Sequence, residues 1–201
     1  MKRYLLNYIN ENIRSIVIFS ALILIGILVG IISLNLLSQT NKVEMINSVK
    51  GTLDLSKQAD FNGINVLKNG LTLNLFIISI IVLAVFTLIA PIIICIIYVL
   101  KGFSLGLYIA IIYSIFGFLN GSLVLLLAVI IPNIIYLPSL IYIGVNAINF
   151  HYEINPEKNV SYTKSIVKHS YQLLISIAII IVSIVIEQSL SPVIFSIYSK
   201  I

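Results

Sequence analysis

The chain has no tryptophan, a single cysteine and few charges: Asp, Glu, Lys and Arg together make up 9% of its 201 residues. Each scarcity excludes something. Soluble domains carry roughly 25% charged residues, so a water-facing surface of ordinary composition cannot be built from this chain. With Cys95 alone, no internal disulfide forms and no cysteine-based metal spacing exists; it lies in an apolar run and reads as a small buried hydrophobe. His151 and His169 have no further ligands at suitable spacing, so both read as solvated loop residues and no metal is expected. Neither a nucleophile motif nor a G-x-x-x-x-G-K phosphate loop occurs, so neither catalysis nor a cofactor is expected.

What is abundant is apolar. Hydrophobic residues make up 60% of the chain, and the mean hydropathy is +1.13. The expected fold is an all-α integral membrane protein. The net charge of +5 does not point to nucleic acid, because the twelve Lys and Arg stand singly or in pairs between apolar stretches, as topology signals beside anionic lipid do. The apolar stretch after Arg14 is too long for the core of a signal peptide.

A helix rises about 1.5 Å per residue, so crossing a hydrocarbon core of about 30 Å takes roughly 20 apolar residues. The sequence predicts a bundle of about five transmembrane helices in a membrane domain over 15–201, after a basic N-terminal segment over 1–14. The spans run over about 15–37, 71–100, 102–119, 121–149 and 171–190. The second is overlong and must tilt, kink at Pro91 or begin outside the core; Lys101 closes it, and Asn120-Gly121 supplies a tight turn after the third. With the N terminus inside, seven cations (Lys2, Arg3, Arg14, Lys101, Lys158, Lys164, Lys168) face five (Lys42, Lys50, Lys57, Lys68, Lys200). The contrast across the first helix sets the orientation as N-in, C-out.

This arrangement leaves an outer loop over 38–70 and an inner loop over 150–170. In the outer loop Ile46, Val49 and Leu53 fall at helical spacing, whereas the segment "FNGIN" reads as a turn. Glu187 is the one acid inside a span; near the outer end of the fifth helix it reads as an interfacial anchor. G-x-x-x-G pairs at Gly26/Gly30, Gly102/Gly106 and Gly117/Gly121 permit close approach of helix backbones. The first is best placed for packing, and the third suits chain reversal.

The stretch "IIPNIIYLPS" places Pro132 and Pro138 inside a span, freeing the carbonyls of Ala128 and Ile134 where hydrocarbon offers no donor. Asn133, Tyr136 and Ser139 form a polar strip on one side of that helix. The strip suits a helix packed within its own bundle, satisfying a neighbour's backbone, or the wall of a small cavity.

From Val66 to Gly144 the segments "VLKNGLTLN", "TLIAPIIICIIYVLKGFSLG" and "AVIIPNIIYLPSLIYIG" resemble the stage II sporulation protein M family in order and spacing. The matching elements are a K-G-F-x-L-G motif at Lys101, Gly102 and Gly106, expected at a short inner turn, and a P-x-x-x-x-x-P helix. More polar relatives carry His-Gly and Glu in the proline helix, where this chain has Asn133, Ile134 and Tyr136.

The resemblance implies a multi-pass protein of the bacterial cell membrane, in the mother-cell or septal membrane during sporulation. It implies a scaffold of the engulfment complex, recruiting and positioning peptidoglycan hydrolases that resemble stage II sporulation proteins D and P. Partners are thus those hydrolases and the lipid bilayer, with no nucleic acid; a homo-oligomer is compatible. A different class of function, the permease subunit of a transporter with the proline helix lining a path, is the alternative.

Overall fold

A computed structural model describes residues 2–55, 63–87, 89–153 and 162–198. Within hydrocarbon a backbone must satisfy its own amides, and helices do so segment by segment. Helices account for nearly all of the described residues, and no strand occurs among them. They are α1 (Lys2–Leu36), α2 (Gln39–Leu55), α3 (Gly63–Ala84), α4 (Ala90–Leu125), α5 (Ile131–Glu153) and α6 (Tyr162–Tyr198), with a π-helical turn at Leu126–Ile130 joining α4 to α5. Serines inside the apolar helices return their hydroxyls to their own backbone, as Ser20 does to Ile16 O at 2.8 Å and Ser176 to Gln172 O at 2.8 Å. Leu24, Leu28, Phe76, Ile92 and Leu174 face outward, a belt suited to lipid and not to water.

The apolar stretches long enough to cross a bilayer are Leu6–Leu36, Ala90–Glu153 and Ile166–Glu187, with the shorter Leu71–Ala84 in α3. As one straight helix, Ala90–Glu153 would be about 96 Å long, some three bilayer cores. It folds back at Gly117, whose φ of 71° is open to glycine at little cost. Tyr113 then lies beside Gly121, and its hydroxyl is 3.3 Å from that of Ser122. The reversal falls at Gly117, ahead of the expected Asn120-Gly121 turn, because Gly121 is needed inside the helix, where Tyr113 packs on its bare Cα.

Pairings across the bundle give the direction of each pass. Gly26 lies against Gly102 and Phe103, and Gly30 against Gly106 and Leu107, so α1 and the first half of α4 run parallel. Tyr98 donates to Leu140 O at 2.5 Å, which with Tyr113–Ser122 makes α5 antiparallel to that half. Asn146 meets His169 and Pro132 meets Ser183, so α6 is antiparallel to α5. Val85 meets His151 and Asn74 meets Tyr136, so α3 runs with α5. Among the described residues the helices therefore make five passes, with Lys2 and Tyr198 on opposite sides of the bundle.

One boundary differs from the sequence expectation. The apolar run 71–100 is two helices: α3 ends at Ala84, and Pro91 opens α4 in its first turn, where a proline lacks no needed N–H. Thr87 makes the break by folding back, N to Ala84 O at 2.8 Å and Oγ1 to the same oxygen at 2.7 Å. Lys101 therefore lies within α4 and marks no helix end. Helix α6 likewise continues through Pro192. Of "FNGIN", residues 61 and 62 lie outside the described residues, as does 154–161 of the inner loop; α3 already begins at Gly63.

The core gathers Phe19 and Ile23 of α1, Ile94 and Tyr98 of α4, Leu140 and Ile143 of α5 and Ile180 and Ile184 of α6. Tyr98 is its hub: its ring stacks on Phe19 at 4.4 Å between centroids, and Gly144 leaves the space its hydroxyl occupies. A Cβ on Gly102 would fall 3.0 Å from the Cα of Ile23 and closer still to that residue's carbonyl oxygen. Gly102→Leu should accordingly destabilise the fold by about 1–3 kcal/mol through overpacking. A thermal melt of the purified protein in detergent should fall clearly below wild type; an unchanged melt would refute the α1–α4 contact.

Candidate functional site

The polar residues of the interior collect at two levels. At the inner end, Asn146 donates from Nδ2 to His169 O at 3.2 Å, which turns its Oδ1 to His169 Nδ1 in a short hydrogen bond. His169 Nε2 lies 3.1 Å from Glu153 Oε2, and Lys168 Nζ donates to Glu153 Oε1 at 3.0 Å. Asn149 donates to Asn12 Oδ1 at 2.8 Å, tying α5 to α1. His151 Nδ1 sits 2.8 Å from Val85 O, a carbonyl exposed by the break after α3. Neither histidine is a solvated loop residue: α5 extends further than the apolar pattern suggests, and His169 is buried. These groups close the inner end of the bundle, and no cluster of three metal-ligating side chains occurs among the described residues.

The second level is at mid-depth and draws on three helices. Lys101 of α4 donates to Asn74 Oδ1 of α3 at 3.4 Å. Tyr136 of α5 donates its hydroxyl to the same oxygen at 2.6 Å, and Lys101 Nζ lies 4.4 Å from the centre of the Tyr136 ring. Glu187 of α6 is half-buried and, by the pairing of Ser183 with Pro132, stands outward of this level. It makes no direct ion pair; among the described residues such a pair joins Glu153 to Lys168.

A charged residue at bilayer depth costs about 2.5–3.5 kcal/mol on insertion scales and is a functional candidate by default. An amide oxygen and a ring face offset part of that cost for Lys101. The arrangement holds an ammonium between an amide oxygen and a ring face.

The remaining residues singled out from sequence fall into two groups. Gly26, Gly30, Gly102 and Gly106 form the α1–α4 interface described above, so the K-G-F-x-L-G motif is a mid-helix packing element and not an inner turn. Pro132, Asn133 and Pro138 lie in a helix that is continuous but widened: the π turn brings the N–H of Ile131 to Leu126 O. Ser183 donates to Pro132 O at 2.8 Å, Asn133 Nδ2 to Val129 O at 2.8 Å and Ser139 to Ile135 O at 2.9 Å. Asn133 and Pro138 also border a cavity of about 460 Å³ with Ile27, Leu105 and Ile109, whose walls are otherwise apolar. The strip thus divides: Tyr136 joins the mid-depth cluster, while Asn133 and Ser139 bond their own helix. Asn74 was not joined to Lys101 by sequence reasoning; its signal was a lone amide inside an apolar run.

Five apolar crossings with internally satisfied polar groups define a helical integral membrane protein. The profile of one family, stage II sporulation protein M, matches residues 16–192, and the chain belongs to that family. No curated protein and no solved structure matches it.

Interhelical hydrogen bonds in membranes average about 0.6 kcal/mol, with a maximum near 1.7. Removing the Tyr136 hydroxyl with Tyr136→Phe should cost about that much. A double-mutant cycle with Lys101→Met, read by detergent unfolding, should show coupling, since both groups share Asn74 Oδ1. Strict additivity would separate the two residues.

Proposed function

We propose that this sporulation membrane protein is a non-catalytic scaffold of the engulfment complex. It recruits peptidoglycan hydrolases resembling stage II sporulation proteins D and P and positions them as the mother-cell membrane migrates around the forespore.

The observation that carries the reading is α2. It follows the first crossing after a break at 37–38, and its first turn is fixed by Lys42 N donating to Ser38 O at 3.0 Å. One side of it is half-buried at Met45, Ile46 and Val49, and Val49 packs on the cluster of Ile112, Val124 and Leu125 at the outer turn of the bundle. The other side presents Asn41, Glu44, Asn47 and Lys50 to solvent. With the N terminus inside, a polar helix face stands outside the membrane, on the side where cell-wall hydrolases work. The bundle beneath holds it at a fixed angle. A permease reading is less well supported, since the polar atoms of the proline helix bond within the bundle and the cavity beside it is largely apolar.

Replacing Asn41, Glu44, Asn47 and Lys50 together by alanine should leave the chain in the membrane. Its co-purification with the hydrolases from sporulating cells should drop severalfold. Normal hydrolase localisation in cells lacking the chain would defeat the proposal.

A further inference from the structure

Lys101 lies on the wall of a cleft that opens sideways to lipid. The cleft, of about 350 Å³, runs between α3 and the first half of α4, and its lining includes Leu73, Asn74, Phe76, Ile97 and Leu100. Leu73, Phe76 and Leu100 are 65%, 61% and 59% exposed, so the rims are greasy and accessible while the floor carries an ammonium and an amide.

An ammonium has three donors. Lys101 spends one on Asn74 Oδ1, an oxygen already receiving the Tyr136 hydroxyl, and leans on the Tyr136 ring. Among the described residues no carboxylate forms an ion pair with it. The positive charge is held in place with donors to spare.

We propose that this cleft docks a transmembrane helix of a partner protein carrying an Asp or Glu at mid-depth, whose carboxylate pairs with Lys101. The walls match an apolar helix, and the floor matches its acid. A second copy of the chain does not supply that acid. Of its seven Asp and Glu, the three in apolar crossings stand near their ends, Glu11 and Glu153 on the inner side and Glu187 toward the outer, and none lies at the depth of Lys101. A bilayer lipid carries its anion at the surface, about 15 Å from mid-depth. The inference builds on the scaffold reading and adds a membrane-embedded contact to the one at α2.

The test is energy transfer in vesicles between the labelled full-length chain and a synthetic poly-leucine transmembrane helix with one central Asp. The all-leucine helix serves as control. Association of the Asp helix should exceed that of the control by roughly three- to tenfold. It should fall to the control level with Lys101→Met and return with Lys101→Arg. Exchanging Asp for Leu in the probe alters nothing in the protein, so the comparison holds even where Lys101→Met folds poorly.

Equal transfer from both helices overturns the proposal. So does displacement of the Asp helix when phosphatidylglycerol is added to phosphatidylcholine vesicles, which would assign the cleft to lipid. Lys101-dependent transfer between labelled copies of the chain would assign it to self-association and overturn it likewise. Only the purified chain and a synthetic helix are present, so hydrolase recruitment through α2 stands or falls separately.

Discussion

The contact between α1 and α4 is backbone on backbone. Gly26 and Gly30 meet Gly102 and Gly106 so closely that a Cβ at any of the four would collide with a carbonyl of the opposite helix. Lipid gives apolar side chains no reason to leave it, so close approach and the dispersion it permits must hold such helices together. Because the two run parallel, the chain has to return between them, and α3 makes that return. The contact also fixes the rotation of α4 about its axis. Successive residues in a helix are about 100° apart, so seating Gly102 against Ile23 turns Lys101 toward Asn74 and Tyr136. The packing motif and the buried cation are adjacent in sequence because the first aims the second.

Much of this was legible in the sequence, since composition and the length of apolar runs follow directly from the thickness of hydrocarbon. The helical spacing of Ile46 and Val49 anticipated α2. What escaped were features set by residues far apart in the chain. Lys101 reads as a boundary because a lone cation in an apolar run ordinarily is one; its partners come from two other helices. Moving it into α4 takes it from the inner set of cations and leaves the orientation to the contrast across the first helix. The break after Ala84 escaped as well, because hydropathy is blind to backbone direction in a run with no charge. His169 shows the same limit from the other side: near a polar loop it looked solvated, but Asn146, Glu153 and Phe150 enclose it.

The proline helix illustrates how a local defect is absorbed. Pro132 removes one intrahelical bond, and the widened turn before it moves the ladder to bonds five residues apart. The carbonyl of Pro132 finds Ser183 on α6. The damage becomes a tie between α5 and α6.

Fold and proposed role converge on α4. Its outer end, at Ile112, carries the weight of α2 through Val49, and its middle carries Lys101 into the lateral cleft. Helix α1 grips the side between these points through glycines that allow little adjustment. A scaffold working across a moving membrane needs partner-facing surfaces that keep a constant spacing. One stiff helix bearing both the extramembrane platform and the intramembrane charge meets that need, whereas separate mobile elements would not.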